Sequence, residues 1–103
     1  MATPVNINEV TSEPIPDRGI MSRTLLKNDH TSLVFMQLAP DEELNEHTSK
    51  FPVWIQTIEG RGTLKTSSGN YPMSPGSWIY LEPKEEHAVL PDTTLQFVLV
   101  LMK

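Results

Sequence analysis

Cysteine is absent from the 103 residues. That removes disulfides, iron–sulfur clusters, thiolate metal centres and thiol nucleophiles, so any metal site must be built from histidines and carboxylates. Positive charge is scarce too: eight Lys and Arg stand against 13 Asp and Glu, for a formal charge of −5. Such a chain has no field to gather phosphate backbones, and nucleic-acid binding is not expected. Long apolar runs are missing as well. The longest, Phe97 to Met102, is far short of the roughly 20 residues that cross a bilayer, so no membrane partner is expected. The opening residues, Met1 to Val10, lack a basic stretch followed by an apolar one; they do not read as a secretory signal, and a cytoplasmic protein is expected.

A helical stripe is the remaining absence. Nine prolines and five glycines are spread so evenly that no window keeps apolar residues at i, i+3 and i+4 over three turns. What is present is a hydrophobic fraction of 38% with only 20% charged residues, enough for one core and too little charge for a disordered chain. The pattern is all-β. Strands are predicted over Ile20–Lys27, Ser32–Leu38, Val53–Ile58, Gly62–Thr66, Ser77–Leu81, Ala88–Leu90 and Leu95–Met102, at the spacing of a sandwich or barrel. Between them lie Lys27–His30, Ala39–Glu42, Glu59–Gly62, Ser67–Asn70, Ser74–Ser77 and Leu90–Thr93, each with the Gly, Pro, Asn or Asp that chain reversal needs. Residues 1–19, with prolines at 4, 14 and 16, read as an extended N-terminal arm, and residues 20–103 as the single β domain.

Alternation along the strands indicates which faces are covered. In the last strand Leu95, Phe97, Leu99 and Leu101 point one way and Val98, Val100 and Met102 the other. A small barrel has one interior, so the second apolar face needs another cover. A homodimer is expected, with the arm crossing to the partner and Trp54 or the even-numbered side chains of the last strand in the contact. The alternative is a two-sheet sandwich covered by its own loops or arm.

Three histidines are the candidate chemistry. His30 lies in the polar turn Asn28-Asp-His-Thr31 and is assigned no role. His47 and His87 each stand at the edge of a strand. The stretches Leu44–Leu64, with His47 and Glu59-Gly-Arg-Gly62, and Met73–Val89, with Pro75-Gly76, Pro83 and His87, resemble the two motifs of the cupin superfamily. The resemblance covers roughly residues 30–102 and implies a small single-domain, RmlC-like barrel of the double-stranded β-helix, or jelly-roll, type.

Many cupins bind iron, manganese, nickel or zinc through three His and one Glu. Carried over by position, that ligand set retains His47 and His87, while its second histidine falls on Ser49 and its glutamate on Val53. Two imidazoles alone make a weak divalent site. Glu43, Glu46, Glu85 and Glu86 stand near enough in sequence to substitute, or they are solvated acids at a loop rim.

A metal-free reading uses the same place. Val53, Ile55, Thr57, Ile79 and Leu81 line a barrel whose mouth carries His47 and His87, with Ser49 beside them: an apolar pocket with polar heads, suited to a small organic ligand. Tyr80 is the one phenol that could join two histidines in proton transfer; its other reading is an interface aromatic. No Gly-x-Ser-x-Gly, phosphate-cradling loop or Asp-rich calcium loop occurs. Three functions remain: small-molecule binding without turnover, a metal-dependent dioxygenase-like or isomerase-like enzyme, and a partner-binding protein with a vestigial pocket. No catalytic residue is assigned.

Overall fold

The computed structural model describes residues 2–11 and 18–103, with the side chains of residues 11, 46 and 47 outside that description. Among the described residues one helical turn, α1 (Ile7–Thr11), precedes nine strands: β1 (Ile20–Lys27), β2 (Thr31–Leu38), β3 (Leu44–His47), β4 (Val53–Glu59), β5 (Gly62–Thr66), β6 (Gly69–Met73), β7 (Trp78–Leu81), β8 (His87–Pro91) and β9 (Leu95–Met102). They form a five-stranded sheet, β1-β2-β9-β4-β7, and a four-stranded sheet, β3-β8-β5-β6, antiparallel at every pairing. The non-consecutive neighbours are those of a jelly roll. No described helix is long and apolar enough to cross a membrane.

Two strands escape the period-two reading, and both lie at a sheet edge. β3 is Leu-Asn-Glu-His, nearly all polar. β6 is Gly-Asn-Tyr-Pro-Met, whose Gly, Asn and Pro read as turn residues. Pro72 lacks an N–H, which an edge strand tolerates and a central strand does not.

The core lies between the sheets. Met36 and Leu38 of β2, Val53 and Ile55 of β4, and Leu95 and Phe97 of β9 meet Leu64, Met73 and Val89 of the smaller sheet. Phe97, at the centre, is fully buried. The odd-numbered positions of β9 thus face the interior, as their alternation predicts.

The other face of the large sheet has a cover of its own. Asn6 caps α1, its carboxamide oxygen accepting from Asn8 N at 2.9 Å. Ile7 and Val10 of α1 pack on Phe35, Val98, Leu25, Leu33 and Ile58. The arm, expected to be extended and to cross to a partner, therefore contains a helical turn docked on its own sheet; Pro14 and Pro16 lie outside the described residues. Beside this contact, Gln37 Nε2 donates to Gln96 Oε1 at 3.1 Å and Gln96 Nε2 to Glu59 Oε2 at 2.9 Å, which pairs the amides that burial would otherwise strand. Val10→Asp should release α1 at a cost of about 2 kcal/mol, the transfer free energy of a buried Val. Faster amide exchange on the strands beneath it, at Phe35 and Val98, checks this.

Candidate functional site

The ends of β3 and β4 and the loop from β7 to β8 converge at one end of the barrel. Ser49 O accepts Lys84 N at 2.7 Å, tying the segment before β4 to the loop before β8. Register then places His47 of β3 opposite His87 of β8, with Thr66 of β5 on the other side of His87. Across the interior, Val53 sits between Leu81 and Leu101. The two histidines are thus brought to the same end, as the sequence predicts, although the His47 side chain lies outside the described residues.

His87 is 4% exposed. Its Nδ1 lies 3.0 Å from Glu85 O, and because a carbonyl only accepts, that nitrogen carries the proton. In the neutral ring, Nε2 is therefore the acceptor nitrogen.

The loop that supplies this carbonyl is braced. Glu85 Oε2 accepts from Ser68 Oγ at 2.8 Å, and Glu85 Oε1 accepts from Glu82 N at 3.3 Å. Tyr71 OH stands 3.1 Å from Ser68 Oγ. Lys84 holds the left-handed backbone, φ 66°, uncommon outside glycine. The sequence offers Glu85 and Glu86 as substitute ligands or as solvated acids at a loop rim and assigns nothing to Thr66 or Ser68; the hint was Glu85, two residues before a strand-edge histidine.

The other expected pocket residues divide. Ser49 Oγ accepts from Phe51 N at 3.1 Å, so this hydroxyl helps shape the mouth. Val53, at 3% exposure, belongs to the packed core at the same end. Ile55 lies deeper in that core. Thr57 is four residues along β4 from Val53, roughly 13 Å, at the opposite end, where its Oγ1 accepts from Ser77 Oγ at 3.0 Å. A small ligand beside His87 does not reach it. Tyr80 and Trp54 are on the outer face, their rings 5.2 Å apart, so Tyr80 does not join the histidines.

The four-ligand metal centre that the cupin resemblance implies is not matched by these donors. Val53 is a buried aliphatic where that set has its carboxylate, and Ser49 stands for an imidazole. Among the described residues, no group of three or more His, Asp or Glu is arranged to hold a metal ion.

The family model for AraC-like ligand-binding domains matches residues 32–102, from β2 to the end of β9. The chain belongs to this family. Solved structures carry the same fold. A cupin superfamily protein from Desulfitobacterium hafniense is 11% identical, with 99% of this chain and 92% of that one covered and a TM-score of 0.85. A conserved protein of unknown function from Streptococcus pyogenes is 21% identical over 100% of this chain and 89% of its own, with a TM-score of 0.84. An RmlC-like cupin with a double-stranded β-helix fold from Methanocaldococcus jannaschii is 18% identical, covering 82% and 81%, at 0.74. At such identities the likeness extends to the fold alone. No curated protein sequence matches the chain.

The residues of the cupin motifs take up defined places in this fold. Gly60 and Gly62 close the hairpin between β4 and β5, Gly76 the turn before β7, and His87 opens β8. The fold of this AraC-like domain is thus the cupin double-stranded β-helix.

Proposed function

We propose that this domain binds a small organic molecule at the His87 end of the barrel and does not turn it over. The ligand has an apolar body and a polar head. The observation that supports this most is the state of His87: nearly buried, next to apolar core residues, with its Nδ1 proton committed to Glu85 O. The His87 ring sets a polar group at that end of the barrel, while Val53, Leu81 and Leu101 offer an apolar wall. Membership in a ligand-binding family agrees with it.

The test is a binding screen of small organic compounds with an apolar body and a polar head by thermal shift and calorimetry, repeated on His87→Ala. Loss of one buried hydrogen bond is worth about 1.5 kcal/mol, so His87→Ala should weaken the best binder by about tenfold. Binding that survives His87→Ala unchanged contradicts the reading.

A second reading is a metal-dependent enzyme using His47 and His87, favoured by their opposed register. With only these two of the family's four donors, purified protein dialysed against chelator should hold substoichiometric iron, manganese, nickel or zinc. One retained ion per chain, lost in His87→Ala, would favour the enzyme over the binding module.

A further inference from the structure

Thr66, Ser68 and Tyr71 gather at the tip of the β5–β6 hairpin, and each hydroxyl has one proton to give. Thr66 Oγ1 donates its proton to Gly69 O at 2.9 Å. Ser68 Oγ lies 2.8 Å from Glu85 Oε2, and because an ionised carboxylate only accepts, the Ser68 proton goes there. Tyr71 OH, 3.1 Å from Ser68 Oγ, is then the donor of that pair. The bonds run one way, from Tyr71 through Ser68 to the Glu85 carboxylate. Such head-to-tail order polarises each link and strengthens the next.

Glu85 is where this relay meets the site. Among residues 82–86 it alone is half-buried, between exposed neighbours. Its carboxylate takes the Ser68 proton, and its backbone carbonyl takes the His87 Nδ1 proton at 3.0 Å. Two exposed residues thus reach a buried imidazole through a single one.

We infer that Ser68 is a positioning residue for His87, and that the β5–β6 hairpin, acting through Glu85, holds the imidazole in its Nδ1–H tautomer. The consequence for ligand affinity rests on the binding site proposed above; the tautomer does not.

Two features set this apart from an ordinary surface hydrogen bond. The first is the backbone of the loop. Lys84 has a left-handed φ of 66°, a conformation that persists only where the surroundings hold it. On one side the hold is Lys84 N donating to Ser49 O at 2.7 Å. On the other it is the Glu85 carboxylate, whose bond from Glu82 N within the loop, at 3.3 Å, is longer than the usual range, so the bond from Ser68 is the firmer one. Without it, Glu85 can turn outward as its neighbours do, and its carbonyl leaves His87 Nδ1.

The second is that the strands do not depend on Ser68. Thr66 pairs with His87 in the β5–β8 ladder, and Ser67 N donates to Glu86 O at 3.3 Å. Removing the Ser68 hydroxyl leaves these backbone ties in place, so its effect falls on the ring and not on the fold.

The tautomer is read without ligand from the imidazole nitrogen and carbon shifts of the full chain at about pH 8, above the ordinary histidine range, with the His87 signals assigned by their loss in His87→Ala. Wild type should be almost wholly Nδ1–H. Ser68→Ala should lower the ratio of Nδ1–H to Nε2–H by about fivefold to tenfold, the factor that one net hydrogen bond is worth, with far-ultraviolet circular dichroism unchanged. Ser68→Thr, which keeps a hydroxyl, should restore the ratio, and Glu85→Ala should match Ser68→Ala. The strongest binder of the screen should weaken by the same factor in Ser68→Ala and recover in Ser68→Thr. A wild-type ring in the Nε2–H form overturns the inference, as does a tautomer that neither Ser68→Ala nor Glu85→Ala moves. A compound that His87→Ala weakens and Ser68→Ala does not would break the link to affinity and leave the binding site standing. A tautomer that shifts as expected in a chain that binds no compound supports the positioning role and counts against the binding site alone.

Discussion

Gly60→Ala is expected to cost about 4 kcal/mol or more, the range reserved for backbone clashes and comparable lesions. Gly60 has φ +89°, and a Cβ built there meets the Thr94 carbonyl oxygen at 1.9 Å and its carbon at 2.9 Å. Both neighbours are backbone, so neither can swing aside. Relief requires parting the β4–β5 hairpin from the β8–β9 turn, which are joined by Asp92 N and Thr93 N donating to Arg61 O at 2.9 and 3.2 Å and by Arg61 N donating to Thr93 Oγ1 at 3.0 Å. Gly76→Ala is the control. It shares φ +89° but meets nothing within 4 Å, so it should show only the left-handed strain of about 1–2 kcal/mol. Urea titration of both variants separates conformation from clash. Equal losses would mean that the two turns yield without cost.

Phe97→Ala is the second large effect. Phe97 is fully buried between Met36 and Thr57 of the neighbouring strands, in the cluster that joins the two sheets. Truncating such a ring costs about 3–5 kcal/mol through lost transfer energy and the cavity left behind. Against the 5–15 kcal/mol typical of whole domains, that should lower the melting temperature by about 15–30 °C. A thermal melt followed by circular dichroism measures it. A shift of only a few degrees would show that the sheets collapse to refill the space.

Much of this architecture is legible in the sequence, for identifiable reasons. β1, β5 and β9 fall at their expected limits, because turn residues flank each of them, and β9 carries apolar residues at every second position as well. The turns at Ala39–Glu42 and Ser74–Ser77 close with the expected bonds, Glu42 N to Ala39 O at 3.1 Å and Ser77 N to Ser74 O at 2.9 Å. β3 and β6 were hidden because edge strands need neither an apolar rhythm nor a full set of amide donors. The two-sided apolar character of β9 correctly signals a cover, but not its source. Ile7 and Val10 are too few and too close to prolines for periodicity to announce a helix, and their cap, Asn6, is a turn residue elsewhere in the chain.

The site was legible in part. His47 and His87 are marked by the motifs, and the fold sets them on adjacent strands. Thr57 was grouped with them because period two assigns a face and not a depth: it shares the inward face of Val53 but sits at the far end of β4. The brace from Ser68 through Glu85 to His87 depends on two loops meeting across 17 residues of sequence, a contact that composition and spacing do not encode.

Binding of a small organic molecule beside His87 is tested most directly by mapping amide shift changes in the nuclear magnetic resonance spectrum as the strongest binder of the screen is titrated in. Saturable changes are expected at Thr66, Leu81, Glu85 and His87, lost in His87→Ala. Changes centred instead on Trp54, Trp78 and Val100, or on Thr57 and the turns at the far end, would contradict it.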